Sequence, residues 1–334
     1  MIAELVDKII VLICPKFYGY ENVIADTLVH HGAKVFLIYE NLEWVKLSYR
    51  FVYVYLPGFK DRLIQKYYHK QLAGILQDAD YFLVIRGSSL TPDIMDYVKE
   101  NTPERCRFWM YQWDGIKNNE SALDILPYFD GISTFDYQDA KTRGWKYRPL
   151  FYIPDYLSDS DEKDIDILFL CGLHSNRVKI VNQLKPIAEK NHYRMKIMMQ
   201  INKSIYYKNK YLDKKPEVIE SDRKDVIFQP ISIKDSYGLY ARSKVVVDYT
   251  HPDQTGFTMR TIETLGSKCK LITNNQMVKT ADFFDPQNIY VYDEDQVCIP
   301  EDFLNSPYKQ IDPGIYQSYS LDSWISAMVG NENE

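Results

Sequence analysis

The amino-acid sequence predicts an α/β protein with two parallel sheets in tandem. Two observations carry the prediction. Short apolar runs alternate with helix-length stretches along the whole chain, and one polar, charged stretch near the middle interrupts that alternation before it restarts. The length agrees, because 334 residues exceed what a single core usually fills.

In the first half, Lys8–Pro15 is a continuous apolar run that suits a strand buried on both faces. The loop Lys16–Tyr20 leads into a helix from Glu21 to His31, which Gly32 ends as a C′ glycine. Lys34–Tyr39 and Phe51–Leu56 read as strands, Asp61–Leu76 as a helix, and Tyr81–Arg86 as a strand followed by Gly87-Ser88-Ser89. Thr91-Pro92-Asp93 marks a helix start with proline at the first position, and that helix runs to Glu100. Arg107–Trp113 is a strand followed by Asp114 and Gly115, where the glycine allows a tight turn. Gly131–Asp136 is the next strand.

Tyr147–Pro154 gives way to Ser158–Asp164, the best linker candidate. Ile165–Cys171 then reads as a strand ending in the loop Gly172–Arg177, with a helix from Arg177 to Lys190. Tyr193–Met199 and Val226–Phe228 are strands, and Ile233–Ala241 is a helix. Ser243–Asn275 reads as strand, polar loop, short helix and strand. Ile289–Tyr292 is a last strand, and Tyr316–Val329 a terminal helix. The expected domains are 1–155 and 165–315, with 316–334 as a helix crossing back to the first. Asn202–Lys215 is basic and aromatic and reads as a loop, either simply solvated or touching anionic lipid.

The formal net charge of −6 and the lack of a basic stripe argue against a nucleic-acid partner. Five scattered cysteines form no CxxC pair, which points to a reducing compartment without a disulfide framework or zinc site. The N-terminus runs directly into a strand, and no apolar segment approaches the roughly 20 residues a bilayer requires. A cytoplasmic protein is expected. The abundant tyrosines suit a sugar site, although biased codon usage accounts for them equally well.

The segment Ser243–Asn275 carries the chemistry. Gly256, Phe257 and Thr258 open a helix bearing Arg260 and Glu263. A loop that leaves a parallel strand and enters a helix presents unpaired N–H groups and the positive end of the helix dipole. This suits a nucleotide diphosphate.

The run MRTIETLGSKCKLITNN, together with DILFLCGLHSNR, resembles glycosyltransferases of the GT-B fold. It is especially similar to CgeB-like transferases of bacterial polysaccharide and lipopolysaccharide biosynthesis. The resemblance implies two Rossmann-like domains with a cleft between them and a nucleotide-sugar donor on the second. It gives Glu263 the donor ribose; otherwise that residue reads as a surface pair with Arg260 three positions earlier. Two positions depart from the pattern. Thr255 stands where many retaining members carry an acid, and Lys268 where many have a glycine, so the helix is expected to end differently, near Gly266.

Transfer from such a donor needs positive charge on the leaving diphosphate and, for inversion, a base on the acceptor hydroxyl. The diphosphate candidates are the N–H groups near Gly256, Phe257 and Thr258, with Arg177, Arg260, and His174 in the Gly172 loop. The base candidates are Asp114, which a capping or loop-holding role also explains, and then Asp136. Arg86 suits an acceptor or phosphate, and Tyr18 an acceptor pocket unless its loop only packs on the first helix. No metal cofactor is expected, because Asp159-Ser160-Asp161 has a metal-like spacing but sits in the linker. The implied partners are a nucleotide sugar and a glycan or lipid-linked acceptor, with peripheral contact at the inner membrane face. Non-catalytic nucleotide-sugar binding and, below it, epimerisation are the alternatives.

Overall fold

The computed structural model describes residues 2–40, 57–158, 162–251 and 254–330. The expected strand Phe51–Leu56 and the Asp159-Ser160-Asp161 motif lie outside them. The chain forms two compact units, Met1–Pro149 with Trp324–Glu334, and Leu150–Ser323.

The first unit holds a six-stranded sheet in the order β2-β1-β3-β4-β5-β6. Its strands are β1 (Ile9–Cys14), β2 (Lys34–Tyr39), β3 (Tyr81–Ile85), β4 (Arg107–Gln112), β5 (Gly131–Thr134) and β6 (Lys146–Tyr147), all paired in parallel. The described helices are α1 (Tyr20–His30), α2 (Pro57–Leu72), α3 (Pro92–Asn101) and α4 (Tyr137–Arg143). Ile10–Ile13 are buried without alternation, as a strand covered on both faces requires. Gly32 ends α1 at φ +99°, a left-handed conformation that favours glycine. At Gly131 a Cβ would stand 2.1 Å from the Trp109 ring, so the strand admits no side chain there.

The second unit repeats the plan in the order β12-β11-β10-β7-β8-β9. Its strands are β7 (Ile165–Gly172), β8 (Met195–Gln200), β9 (Val226–Ile227), β10 (Ser243–Val247), β11 (Lys270–Thr273) and β12 (Ile289–Val291), again parallel. The helices are α5 (Arg177–Lys190), α6 (Lys203–Tyr211), α7 (Pro216–Ile219), α8 (Ile233–Ala241), α9 (Met259–Gly266), α10 (Glu301–Asn305) and α11 (Pro313–Ser318), and α12 (Leu321–Val329) starts here and belongs to the first unit from Trp324 on. Ile167, Phe169, Val245 and Val247 build the core beneath Val178, Val181 and Leu184 of α5.

Three expectations are corrected. The Asn202–Lys215 stretch is not a loop. Asn202 caps α6 by accepting from the Ser204 N–H at 2.9 Å, and Tyr206 is buried in the core. The tail is two helices rather than one. Tyr152 donates its N–H to Tyr319 O and accepts from Leu321 N, both at 2.9 Å, which takes those backbone groups out of a continuous helix. Ser320 then caps α12 by accepting from Ser323 N at 3.2 Å. The third correction concerns α9. It does end at Gly266, but Lys268 supplies the left-handed residue, at φ +48°. The bonds Cys269 N to Thr264 O and Lys268 N to Leu265 O complete a Schellman turn with lysine at C′. Gly266 instead makes room for the Tyr152 ring, which a Cβ would meet at 2.4 Å.

Candidate functional site

In the second sheet the chain leaves β7 in one direction through β8 and β9. It returns to the other side of β7 with β10 and continues outward through β11 and β12. The carboxyl ends of β7 and β10 therefore flank the topological switch, where open α/β sheets bind ligands. The loops there hold Gly172–Arg177 and, of the stretch after β10, the described residues 248–251 and 254–258.

Asp248 follows β10 directly and its side chain is fully buried. Oδ1 accepts from Thr258 Oγ1 at 2.9 Å and from Arg260 Nη1 at 3.1 Å. Oδ2 accepts from Thr250 Oγ1 at 3.2 Å and from Thr273 Oγ1 at 3.1 Å. A buried carboxylate needs such partners on both oxygens. This one ties the end of β10, the end of β11 and the start of α9 into one unit. Thr258 also accepts from Thr261 N at 3.2 Å, which makes it the helix cap. Burial opposes the charge of Arg260, but Tyr240 and Asp248 outweigh it and hold the guanidinium above its ordinary pKa. Its Nε is buried without a hydrogen-bond partner.

Arg177 approaches the same crevice from the start of α5. Its Nη1 donates to Gly172 O at 3.3 Å and to His174 Nε2, and its guanidinium lies 5.8 Å from the Tyr249 ring centre. Its Nε, too, is buried and unpartnered. Burial first, then Arg177, push the His174 pKa down to about 4. The imidazole is thus neutral near pH 7, and Nε2 accepts from Arg177 while Nδ1 faces Ser175 Oγ at 2.9 Å. Gly172 makes space for this ring, since a Cβ there would meet His174 Cδ2 at 2.9 Å.

Glu263 is 4% exposed and accepts from the buried Tyr240 hydroxyl at 3.0 Å. It is therefore not half of a surface pair. Gly256 O accepts from Asn275 Nδ2 at 3.1 Å. The Phe257 side chain belongs to the core, edge-on to Phe283 at 5.5 Å. Sequence reasoning missed Asp248, although a lone carboxylate immediately after three valines is a visible signal. It also missed Tyr240 and the rim formed by Glu294, whose Oε1 accepts from Asn274 Nδ2 at 2.6 Å and Oε2 from Asn176 Nδ2 at 3.4 Å.

In the first unit, Arg86 follows β3 with φ +74°, a strained conformation for a non-glycine residue. Its Nε donates to Glu40 Oε2 at 3.2 Å, its Nη2 to Ser88 Oγ at 3.0 Å, and its Nη1 lies 3.7 Å from Asp114 Oδ2. Glu40, also missed in the sequence, is buried and accepts from Ser89 N at 2.9 Å. Burial raises its pKa despite Arg86. The Asp114 side chain is 40% exposed. The following turn is held by Asp139 Oδ2, which accepts from Ile116 N at 2.8 Å. Gly115 has φ −58°, so the expected tight turn makes no demand for glycine. Asp136 is buried and caps α4 through Asp139 N at 3.0 Å. Tyr18 is 57% exposed, while Phe17 and Tyr20 pack 6.0 and 5.9 Å from Trp113. Glu21 closes that loop by accepting from Phe17 N at 3.0 Å and Gly19 N at 3.1 Å.

Among the described residues, no group of three or more His, Cys, Asp or Glu side chains is arranged to hold a metal ion. No described helix is long and apolar enough to cross a membrane.

Two parallel six-stranded sheets with flanking helices, one per unit, define the GT-B fold, and solved structures agree. HepE from Anabaena, in complex with UDP and glucose, superposes with a TM-score of 0.56 at 8% identity over 95% of this chain and 97% of its own. An α-glucosyltransferase in complex with UDP and a mismatched 13-mer DNA gives 0.54 at 13% identity, over 97% and 93%. A Listeria monocytogenes structure assigned as a UDP-N-acetylglucosamine 2-epimerase gives 0.55 at 8%, over 98% of both chains. Identities this low carry the fold alone. No protein-family profile matches the chain. No curated protein matches it in sequence.

Proposed function

We propose that this protein is a glycosyltransferase that takes a sugar from a nucleotide-sugar donor. The observation that carries the proposal is the pair Arg177 and Arg260 at the β7–β10 switch, each with a buried, unpartnered Nε. Guanidinium groups match phosphate oxygens in geometry and charge. In this reading they neutralise the leaving diphosphate together with the backbone at Gly256–Thr258, so the transfer calls for no metal ion. His174 keeps Arg177 in place. Glu263 takes the ribose hydroxyls, displacing its bond from Tyr240.

The acceptor half is assigned to the first unit. Asp114 removes the proton from the acceptor hydroxyl as that oxygen bonds to the sugar carbon and the bond to the diphosphate breaks. Arg86 aligns Asp114 or an anionic acceptor, and Tyr18 lines the approach. The acceptor we favour is a glycan or lipid-linked glycan of a bacterial surface polysaccharide, on the strength of the CgeB-like resemblance. The α-glucosyltransferase was solved with DNA, but a chain of net charge −6 is poorly matched to a polyanionic acceptor.

A thermal-shift screen of nucleoside diphosphates and nucleotide sugars tests the donor half. A shift with at least one of them, lost in Arg177→Ala and reduced in Glu263→Ala, is the expected result. No shift with any uridine, guanosine, cytidine or thymidine ligand overturns it. Donor hydrolysis by Asp114→Asn then separates the readings, because unchanged turnover removes Asp114 from the mechanism. The epimerase assigned for the Listeria structure gives the second reading, in which sugar is isomerised without an acceptor.

A further inference from the structure

The segment after β8 concentrates exposed apolar surface as no other part of the described chain does. Half of the large apolar side chains that stand exposed, Ile205, Tyr207, Tyr211, Leu212 and Ile219, lie on α6, α7 and the turn between them. Leu212 is 76% exposed and Tyr211 64%. Globular surfaces carry scattered apolar residues, but a contiguous group marks a site of contact. The segment is not simply misplaced core. Tyr206 and Val218 are buried and fasten it to the second unit, and Asn202 caps the helix. The fold therefore holds the outer residues outward.

The charges select the partner. Lys203, Lys208, Lys214 and Lys215 are exposed around these side chains, and Lys210 is half-buried beside them. On α6, α7 and the turn between them two acids oppose them, Asp213, engaged by Lys208 at 3.0 Å, and the half-buried Glu217, against five lysines in a chain whose total charge is negative. The rings of Tyr207 and Tyr211 lie parallel, 6.1 Å apart. Tyrosines that pair an apolar face with a hydroxyl, an exposed leucine, and lysines with long aliphatic stems are the side chains that settle at the boundary between lipid headgroups and acyl chains. A protein partner would meet this surface with carboxylates and a fitted pocket. An anionic bilayer meets it without any fixed shape, which suits flexible lysines around a shallow apolar group.

We propose that α6, α7 and the turn between them form a membrane-docking face that binds the surface of an anionic lipid bilayer. The proposal stands independently of the donor site. Its test is sedimentation of the full chain with two kinds of vesicle, phosphatidylcholine alone and phosphatidylcholine with phosphatidylglycerol. Binding is expected only with phosphatidylglycerol and should weaken as salt rises. Tyr211→Ser combined with Leu212→Ser should lower partitioning roughly tenfold or more by removing the inserted apolar groups. Lys214→Gln and Lys215→Gln should each lower it roughly fivefold. Thermal melting of every variant, which should match the parent, separates lost docking from lost folding. The lysine variants give an independent arm. The proposal is overturned by no binding that depends on phosphatidylglycerol, by unchanged partitioning in the Tyr211 and Leu212 variant, or by the same variant dissociating a dimer in sedimentation velocity. Binding to DNA oligonucleotides without binding to vesicles also overturns it, and assigns the lysines to nucleic acid instead.

Discussion

Two charged residues of the second unit, Asp248 fully buried and Arg177 partly buried, differ in what they do. Asp248 receives four side-chain hydrogen bonds and has none to spare for a ligand. Its role is to hold Thr258 and Arg260 in place. Arg177 has a 3.3 Å bond to a carbonyl, a contact with a neutral histidine and the Tyr249 ring 5.8 Å away. The two therefore respond oppositely to truncation. Asp248→Ala leaves Arg260 buried without its counter-charge and should cost about 3–5 kcal/mol of stability in urea melts. Arg177→Ala should change stability by about 1 kcal/mol or less but weaken nucleoside diphosphate binding about tenfold or more, read by calorimetric titration. Equal destabilisation by both would remove the distinction. Lys270 adds a pH dependence. It is buried in β11, donating to Phe303 O and to Ser306 Oγ, the latter at 2.7 Å, and burial pushes its pKa down to about 8 from 10.5. Between those values the unfolded chain binds the proton that the folded chain has released, so stability rises with pH across that window and is flat below it. Lys270→Met should abolish that rise, measured as the difference in denaturant midpoint between parent and variant from pH 8 to 10.

The elements divide by how far their residues determine them locally. β2 and α8 have the bounds the sequence implies, because a dense apolar run and a serine cap both act within a few residues. Ser232 accepts from Asp235 N at 3.1 Å. The tail helix was misread because its break at Tyr319 and Ser320 is imposed by Tyr152, far away in sequence. α6 was misread because its lysines and exposed tyrosines hide the single buried anchor, Tyr206. The end of α9 shows a case between these. The sequence marks Lys268 as the place where a glycine is usual, and the backbone there does take the glycine conformation, with a lysine carrying the left-handed strain. Lys268→Gly should therefore stabilise the protein by about 1 kcal/mol, the steric cost of φ +48° less the entropy that glycine adds to the unfolded chain. Its cation–π contact with Tyr316, at 5.6 Å, is the only described interaction of that kind to be lost. A lower melting temperature for the glycine variant would show that this contact outweighs the strain.

At the scale of the molecule, the repeated α/β plan was legible because parallel strands buried on both faces must be written as apolar runs. The candidate site was legible in part. Gly256, Thr258, Arg260 and Glu263 are adjacent in sequence, and Arg177 sits at a strand end, where the fold places ligands. Asp248, Tyr240 and Glu40 escaped because their importance comes from partners on other elements. The last helix also belongs to this scale. Trp324, Ile325, Met328 and Val329 are buried and belong to the first unit. Trp324 packs edge-on to Tyr111, with ring centres 4.7 Å apart, and Tyr81 Oη donates to Val329 O at 3.4 Å. Each such side chain contributes about 1.5–3 kcal/mol by leaving water. Four of them together rival the whole stability of a typical domain, about 5–15 kcal/mol. A chain ending at Ser323 should therefore lose the calorimetric transition of the unit containing β1–β6. The transition of the unit containing β7–β12 should remain, because its own core of Ile167, Phe169 and Val245 is left intact. Trp324→Ala should lower the first transition alone, by about 3–5 kcal/mol. A truncated chain that melts like the parent would mean that these four residues add no net stability to the first unit.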